Sequence, residues 1–169
     1  MHQRSVCFTI KWISHEKRID YVNALDAITS MDYTIKALVL DGGVGFFIGS
    51  QQYPVQKCQY HYIAIIRRKL TMNPKIDASK ELLKIALGIT KQEKEVFVKE
   101  FSEWQKRWDS FLKERTIQEE SGRWQYTHRA FRSAAFTTQE LIPYLFTHQE
   151  HSYLNISNTN NALEGLLRH

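Results

Sequence analysis

The feature that most constrains the fold is a short segment that is apolar at nearly every position. Residues 35–41 read Ile-Lys-Ala-Leu-Val-Leu-Asp, and two glycines follow. A strand that is apolar on both faces is usually central in a sheet and covered on both sides. Residues 16–31 upstream repeat apolar side chains at helical spacing, and residues 4–13 are rich in β-branched and aromatic residues. Strand, helix and strand in this order predict a right-handed βαβ unit with a parallel pair.

The rest of the chain predicts mostly helices. Residues 55–66 favour a strand that passes into a helix ending in Arg67-Arg68-Lys69. Further helices are predicted over residues 44–52, 77–87, 90–112, 124–136 and 138–147, and a last one begins near residues 158–160. The predicted class is therefore α/β. Its core occupies residues 1–75, an all-helical insertion occupies residues 76–152, and a returning core helix occupies residues 153–169.

Composition sets broader limits on the function. The chain has 169 residues, a net charge of +5 and a pI near 9.2, a balance that suits a polyanionic partner without requiring one. With Cys7 and Cys58 as the only cysteines, a disulfide framework is not expected and a reducing cytoplasmic setting is favoured. No apolar run approaches the ~20 residues of a membrane span, so no membrane partner is predicted.

Two carboxylates stand out because each ends or opens a rigid element. Asp41 closes the apolar strand, and Glu164 lies just inside a short helix that follows an Asn/Thr-rich turn. Ligands of open α/β sheets bind at the carboxyl ends of strands, and paired acids are typical of two-metal sites. The alternative is structural: Asp41 as the cap of an Asp-Gly turn, and Glu164 as an acid favoured by the helix dipole.

Cys58 and His61 form a Cys-x-x-His pair. Zinc would need two further ligands, and the sequence offers no second cysteine pair, so no zinc site is expected. On a strand the two side chains would point to opposite faces, so they could act together only across a strand-to-helix transition. The alternative is a buried cysteine with a hydrogen-bonded histidine.

Basic and aromatic residues suggest two places where DNA could bind. The first is a basic patch, which contains Lys57, Arg67, Arg68 and Lys69. It would contact phosphates, or else only complement the dipole at a helix end. The second is residues 122–129, with Arg123, Trp124 and His128, which could stack on an unpaired base or form the polar edge of a helix. Trp104 and Trp108, on an apolar stripe, are expected in the core.

Three blocks of this sequence together resemble a known family. Residues 37–43 contain the Asp41-Gly-Gly turn, residues 56–61 read Gln-Lys-Cys-Gln-Tyr-His, and residues 158–165 read Asn-Thr-Asn-Asn-Ala-Leu-Glu-Gly. They resemble the catalytic domain of DDE transposases, in the bacterial insertion-sequence and Mutator-like group. Residues 122–128 and 141–146 are also similar to such enzymes, so the resemblance spans almost the whole chain.

The resemblance implies an RNase H-like core of mixed strands, interrupted by a helical insertion before the catalytic glutamate. It implies that Asp41 and Glu164 are catalytic and hold Mg²⁺ or Mn²⁺, and that Cys58 and His61 form the family's Cys-x-x-His block. The implied reaction is DNA strand cleavage and transfer by in-line displacement during transposition of an insertion sequence. The implied partners are transposon-end DNA and a second copy or a full-length transposase, in the nucleoid of a bacterial cytoplasm.

The sequence departs from the family in one respect. The family uses three acids, the first on the first core strand, and residues 4–13 contain no aspartate. We therefore expect a partial RNase H-like core from a truncated transposase, with little or no cleavage by this chain alone. The alternative is a non-catalytic remnant that binds DNA or a transposase.

Overall fold

The structure is a computed structural model that describes residues 15, 17–42 and 52–160. The predicted strand over residues 4–13, most of the predicted helix over residues 44–52 and the segment carrying Glu164 lie outside the described residues. The chain divides into two compact units. The first contains Met1–Cys58 and Tyr144–His169, and the second contains Gln59–Pro143. The domain boundaries expected from the sequence stay predictions.

The first unit contains a small parallel sheet packed by one helix. Helix α1 spans Arg18–Thr29, strand β1 spans Leu38–Leu40 and strand β2 spans Val55–Lys57. The two strands pair in parallel, with Leu38 opposite Val55. These two side chains are buried, and partly buried apolar residues pack against them: Tyr21, Leu25, Ile35, Leu40, Tyr53 and Tyr144. The apolar segment therefore forms a strand, although a shorter one than residues 35–41.

A buried amide joins β2 to the chain that returns after the second unit. Gln56 is fully buried, and its Nε2 donates to the carbonyls of Lys57 at 2.7 Å and Leu145 at 2.9 Å. Its Oε1 accepts from the backbone N–H of His148 at 2.9 Å. The hydroxyl of Thr147, at the start of helix α7 (Thr147–Glu150), donates to the carbonyl of Val55. A 3₁₀ turn follows at Ser152–Leu154.

The second unit is built mainly from helices. Its elements in chain order are α2 (Gln59–Leu70), α3 (Asp77–Gly88), a 3₁₀ turn (Ile89–Lys91), α4 (Lys94–Arg107), α5 (Asp109–Lys113), β3 (Arg115–Ile117), β4 (Trp124–Tyr126) and α6 (Arg129–Leu145). The last two residues of α6 belong to the first unit. Phe97, Phe101 and Trp104 of α4 are buried, which confirms Trp104 as a core residue. Trp108 is half-buried, and its Nε1 donates to Glu81.

The prediction of an all-helical insertion is wrong at one place. Strands β3 and β4 form an antiparallel hairpin, and Gly122 in the connecting turn has a φ of +62°, a conformation that favours glycine. The β-branched pair Thr116 and Ile117 and the aromatics of β4 favour strands over a helix. The described residues thus form a mostly helical α/β structure with two small two-stranded sheets. Among them, no larger RNase H-like sheet is seen.

Two helix starts also differ from the prediction. The expected start at residue 138 lies inside the continuous helix α6, where Thr138 is buried and its hydroxyl lies 3.0 Å from the carbonyl of Ala134. The expected start at Thr90 falls in the 3₁₀ turn, and α4 begins after Glu93 instead. None of the helices in the described ranges has both the length and the apolar character needed to cross a membrane.

Tyr62 gives the second unit a predicted pH dependence. Burial raises the pKa of Tyr62 above its ordinary value of 10.0, and the hydrogen bond with Thr138 opposes part of that rise. The unfolded chain therefore loses the phenol proton first, and this contribution to stability is present below pH 10.0 and falls as the pH rises further. We expect Tyr62→Phe to lose about 1 kcal/mol at pH 7 and to remove a decline of about 1.4 kcal/mol per pH unit above the unfolded pKa.

Urea unfolding of wild type and Tyr62→Phe, at neutral pH and above pH 10.0, measures how the free energy of unfolding depends on the Tyr62 hydroxyl. Tyr60→Phe is the matched control, because Tyr60 is 51% exposed on the same helix. Parallel stability curves for wild type and Tyr62→Phe over the alkaline range would contradict the assignment.

Candidate functional site

Asp41 lies directly after β1, and the parallel hydrogen bonding between β1 and β2 continues one residue beyond β2, to Cys58. The backbone N–H of Cys58 donates to the carbonyl of Leu40 at 2.9 Å, which sets Cys58 beside the end of β1. The carboxylate of Asp41 and the thiol of Cys58 lie within 4.8 Å of each other. Asp41 is half-buried, and its Oδ1 is shielded from solvent. A carboxylate is thus fixed at the carboxyl end of a strand, as the sequence predicted.

The thiol of Cys58 also contacts the segment that precedes Glu164. Cys58 is fully buried, and its Sγ lies 3.1 Å from Oδ1 of Asn160, which accepts the thiol hydrogen bond. The two residues are 102 positions apart in the sequence. One buried thiol therefore touches Asn160 and lies next to Asp41, so parts of three distant sequence segments meet within the first unit.

The Cys58–His61 pair spans a change of secondary structure. Strand β2 ends at Lys57 and helix α2 begins at Gln59, so His61 lies in the first turn of that helix. The strand-to-helix transition that the pair would need in order to act together is present. Cys58 itself is buried, in agreement with the structural interpretation of this residue.

Glu164 lies outside the described residues. The segment that leads to it forms a turn through residue 160 rather than the first turn of a helix. The hydroxyl of Ser157 accepts from the backbone N–H of Thr159 at 3.2 Å and donates to its carbonyl. The described part of this block therefore supplies an ordered polar turn, with Asn160 at its end.

The predicted basic patch divides into exposed and buried members. Arg67 and Arg68 are exposed in the last turn of α2, and the ammonium of Lys69 donates to the hydroxyl of Ser133. Lys57, at the end of β2, is only 4% exposed. A buried ammonium is a poor contact for a phosphate backbone, so Lys57 fits that role less well than the exposed arginines.

A cleft in the second unit combines residues from both predicted DNA-binding regions. It has a volume of about 460 Å³, and Lys69, Lys75 and Arg129 supply the cations of a lining that also includes His128. His128 stacks on Phe111 with ring centroids 3.7 Å apart, and its Nε2 lies 2.9 Å from a carboxylate oxygen of Glu114. Since the lining offers several cations and few acids, the cleft suits an anionic ligand.

Arg123 and Trp124 lie on the hairpin rather than on a helix. Arg123 is exposed in the turn, and Trp124, the first residue of β4, is 56% exposed. The guanidinium of Arg115 lies 4.0 Å from the centroid of the Trp124 ring. Arg115 was not predicted as a site residue, although the alternation Arg-x-Ile and Trp-x-Tyr on either side of Gly122 is a hairpin signal that could have placed it there.

A larger cleft of about 710 Å³ in the second unit contains none of the predicted metal or DNA-binding residues. Its lining mixes acids and bases, among them Glu81, Lys84, Glu100, Glu103 and Arg107, and Arg107 pairs with Glu81 at 2.9 Å. Such a mixed lining favours no single ligand charge.

No known protein family, curated protein or solved structure matches this chain. The chemistry must therefore be inferred from the two sites themselves. One is a partly buried Asp41–Cys58–Asn160 cluster, which joins a carboxylate, a thiol and an amide. The other is the cationic and aromatic surface of the second unit.

Proposed function

We propose that this chain is part of a DDE-type transposase catalytic domain with an RNase H-like core. Its reaction would be Mg²⁺- or Mn²⁺-dependent cleavage and transfer of DNA strands. The observation that carries the proposal is the position of the Cys58 thiol, next to Asp41 and in contact with Asn160. These residues come from the three separate blocks that resemble the family. A resemblance due only to composition would give no reason for the blocks to converge.

The residues at this point fit a magnesium ion. Mg²⁺ prefers carboxylate oxygens, and Asp41 offers a carboxylate with one oxygen shielded from water. Glu164 follows Asn160 by four residues, so covalent reach keeps their Cα atoms within about 14 Å. Asp41 and Glu164 would hold the metal. When bound, the metal would stabilise negative charge on the scissile phosphate and the leaving oxygen.

Cys58 has a positioning role in this proposal. Its thiol is a soft ligand and a poor partner for Mg²⁺. Its hydrogen bond to Asn160 instead fixes the turn from which Glu164 follows. Its backbone N–H bond to Leu40 fixes the strand end that presents Asp41. Cys58 would therefore act by holding two ligand-bearing segments together, and no further cysteine ligand is required.

Metal affinity tests the assignment of both acids. We expect Asp41→Asn and Glu164→Gln each to weaken Mn²⁺ binding at least about tenfold, because each removes one of two anionic ligands. Electron paramagnetic resonance or calorimetric titration of the full chain measures this. Asp26→Asn is the matched control, since Asp26 is exposed on α1, and its Mn²⁺ affinity should equal that of wild type.

Unchanged Mn²⁺ affinity in Glu164→Gln would contradict the proposed site. With two of three acids, wild type should cleave plasmid DNA weakly or not at all in Mn²⁺, since the family's full set of ligands is lacking. Robust cleavage that Asp41→Ala abolishes would show instead that the chain holds a complete active site.

A second candidate function is non-catalytic DNA binding, or binding to a transposase. The cleft with Lys69, Lys75, His128 and Arg129 favours it, because cations can bind a phosphate backbone without any metal site. The two candidates differ at Glu164. The non-catalytic function predicts a DNA affinity that falls steeply with salt concentration. It also predicts that Glu164→Ala binds DNA and Mn²⁺ with the same affinities as wild type.

A further inference from the structure

One face of the β3–β4 hairpin presents apolar and cationic side chains together. The strand register sets Arg115 opposite Tyr126 and Ile117 opposite Trp124. Residues directly opposite in an antiparallel pair share a face, so these four side chains lie on one side, which we call the hairpin face. Ile117 is 69% exposed and Trp124 is 56% exposed. Two adjacent large apolar side chains left open to solvent make this face a candidate contact surface.

Guanidinium groups and aromatic rings alternate across the hairpin face. Arg132 of α6 lies 3.9 Å from the centroid of Tyr126. Arg115 lies 5.5 Å from the same ring and 4.0 Å from Trp124. Within the residues that the structure describes, neither arginine forms an ion pair. Stacking on the rings therefore orders both guanidinium groups. Arg132 is half-buried and also donates to the carbonyl of Leu112, so the exposed Arg115 is the charge that this face offers to an anionic partner.

The hairpin face adjoins the basic cleft. Arg129, at the start of α6, lines that cleft and also a smaller pocket of about 270 Å³ that includes Tyr126 and Arg132. A phosphate backbone bound in the cleft and extending past Arg129 would therefore reach the hairpin face. The cations of the two surfaces are near enough to serve a single polyanion.

Acidic residues set the direction in which such a polyanion could run. Glu119 and Glu120 lie in the exposed turn between β3 and β4. They outnumber Arg123 in that turn, so the tip of the hairpin carries a net negative charge that would repel phosphates. Glu114, at the other end of β3, is engaged by His128. The favourable path thus runs along the arginines toward Arg129 and not over the turn.

We propose that the hairpin face binds single-stranded DNA by stacking an unpaired base on Trp124, while Arg115 and Arg129 contact phosphates. A duplex covers its base faces by internal stacking, so an exposed indole ring contributes most to a strand whose bases are open. The inference rests on the DNA partner of the proposed function and is independent of the metal site.

Fluorescence anisotropy with the full chain tests it. The probes are a labelled single-stranded deoxyoligonucleotide containing 2-aminopurine and a duplex of the same sequence. We expect Trp124→Ala to weaken single-strand binding about tenfold or more and to abolish the quenching of 2-aminopurine that stacking causes. Duplex affinity should change less than about threefold. Trp124→Phe should keep part of the affinity, because phenylalanine still offers a ring face.

Tyr153→Ala is the matched control, since Tyr153 is an exposed aromatic residue of the first unit, 74% accessible. Its DNA affinity should equal that of wild type. Circular dichroism checks that Trp124→Ala keeps its helices. The short exposed hairpin contributes little to the core, so we expect the spectrum to be unchanged.

Several outcomes would overturn the inference. Equal losses on single-stranded and duplex DNA would show that Trp124 does not stack on an open base. Tighter binding of single-stranded RNA by more than tenfold would change the class of partner. Loss of self-association in Trp124→Ala, with unchanged DNA affinity, would make the face an interface between copies. Duplex binding without single-strand binding would defeat this inference alone, whereas no DNA binding at low salt would defeat the DNA-binding function as well.

Discussion

Replacing Trp104 with alanine should lower the free energy of unfolding of the second unit by about 3–5 kcal/mol, the range for large aromatic residues removed from a core. Trp104 is 2% exposed and stacks on Phe101 with centroids 5.6 Å apart. Its ring also packs edge-on against Phe131, and its Nε1 donates to the carbonyl of Ala78 at 2.9 Å. The substitution would leave a cavity and remove the indole hydrogen bond to the Ala78 carbonyl.

Hydrogen exchange read by mass spectrometry measures this effect within the second unit, where amides of α3 and α4 should exchange faster. Val96→Ala is the control on the same helix. Val96 is 47% exposed, so its truncation should change stability by no more than about 0.5 kcal/mol. An effect of Trp104→Ala as small as that of Val96→Ala would contradict the packing described for α4.

Gln56→Leu should destabilise the first unit by about 2–4 kcal/mol, although leucine has a similar size and is more apolar. The amide of Gln56 satisfies the carbonyl of Leu145 and the N–H of His148, and its side chain has no solvent exposure. Leucine would remove these hydrogen bonds without admitting water, and losing a hydrogen bond to a buried polar group costs about 1–3 kcal/mol.

Exchange rates of amides in β2 and α7 measure the loss. Gln52→Leu serves as the matched control, because Gln52 is exposed and its amide donates to the hydroxyl of Tyr53. A Gln56→Leu protein as stable as Gln52→Leu would show that the backbone groups near Gln56 find other partners. The hydrogen bonds of the Gln56 amide would then contribute little to the stability of the first unit.

The helices with strong apolar periodicity were predictable from the sequence. The stripe Phe97, Phe101 and Trp104 locates α4 and its buried face, and the apolar segment ending at Leu40 locates β1. These patterns are strong because each side chain contributes separately to a core. Asp41 at the end of β1 was predictable for the same reason, since it follows directly from the strand.

The hairpin was missed because its signal is weak, and the contacts of the Asp41–Cys58–Asn160 cluster were not predictable. Strands β3 and β4 have three residues each, too few for an alternating pattern to exceed the helical signal around them. The bond between Cys58 and Asn160 joins residues 102 positions apart, and only folding brings them together. The burial of Lys57 likewise depends on how β2 packs, because nothing in its local sequence distinguishes it from an exposed lysine.

The buried thiol of Cys58 allows the opening of the Asp41–Cys58–Asn160 cluster to be measured by chemical labelling. An alkylating reagent can reach a fully shielded sulfur only when the surrounding chain opens, so the labelling rate reports the free energy of that opening. In a Cys7→Ser background the signal would come from Cys58 alone. Any ligand that ties the Asn160 turn to the end of β1 would slow the reaction. The labelling rate of Cys58 would then report ligand binding at the cluster even if no DNA is cleaved.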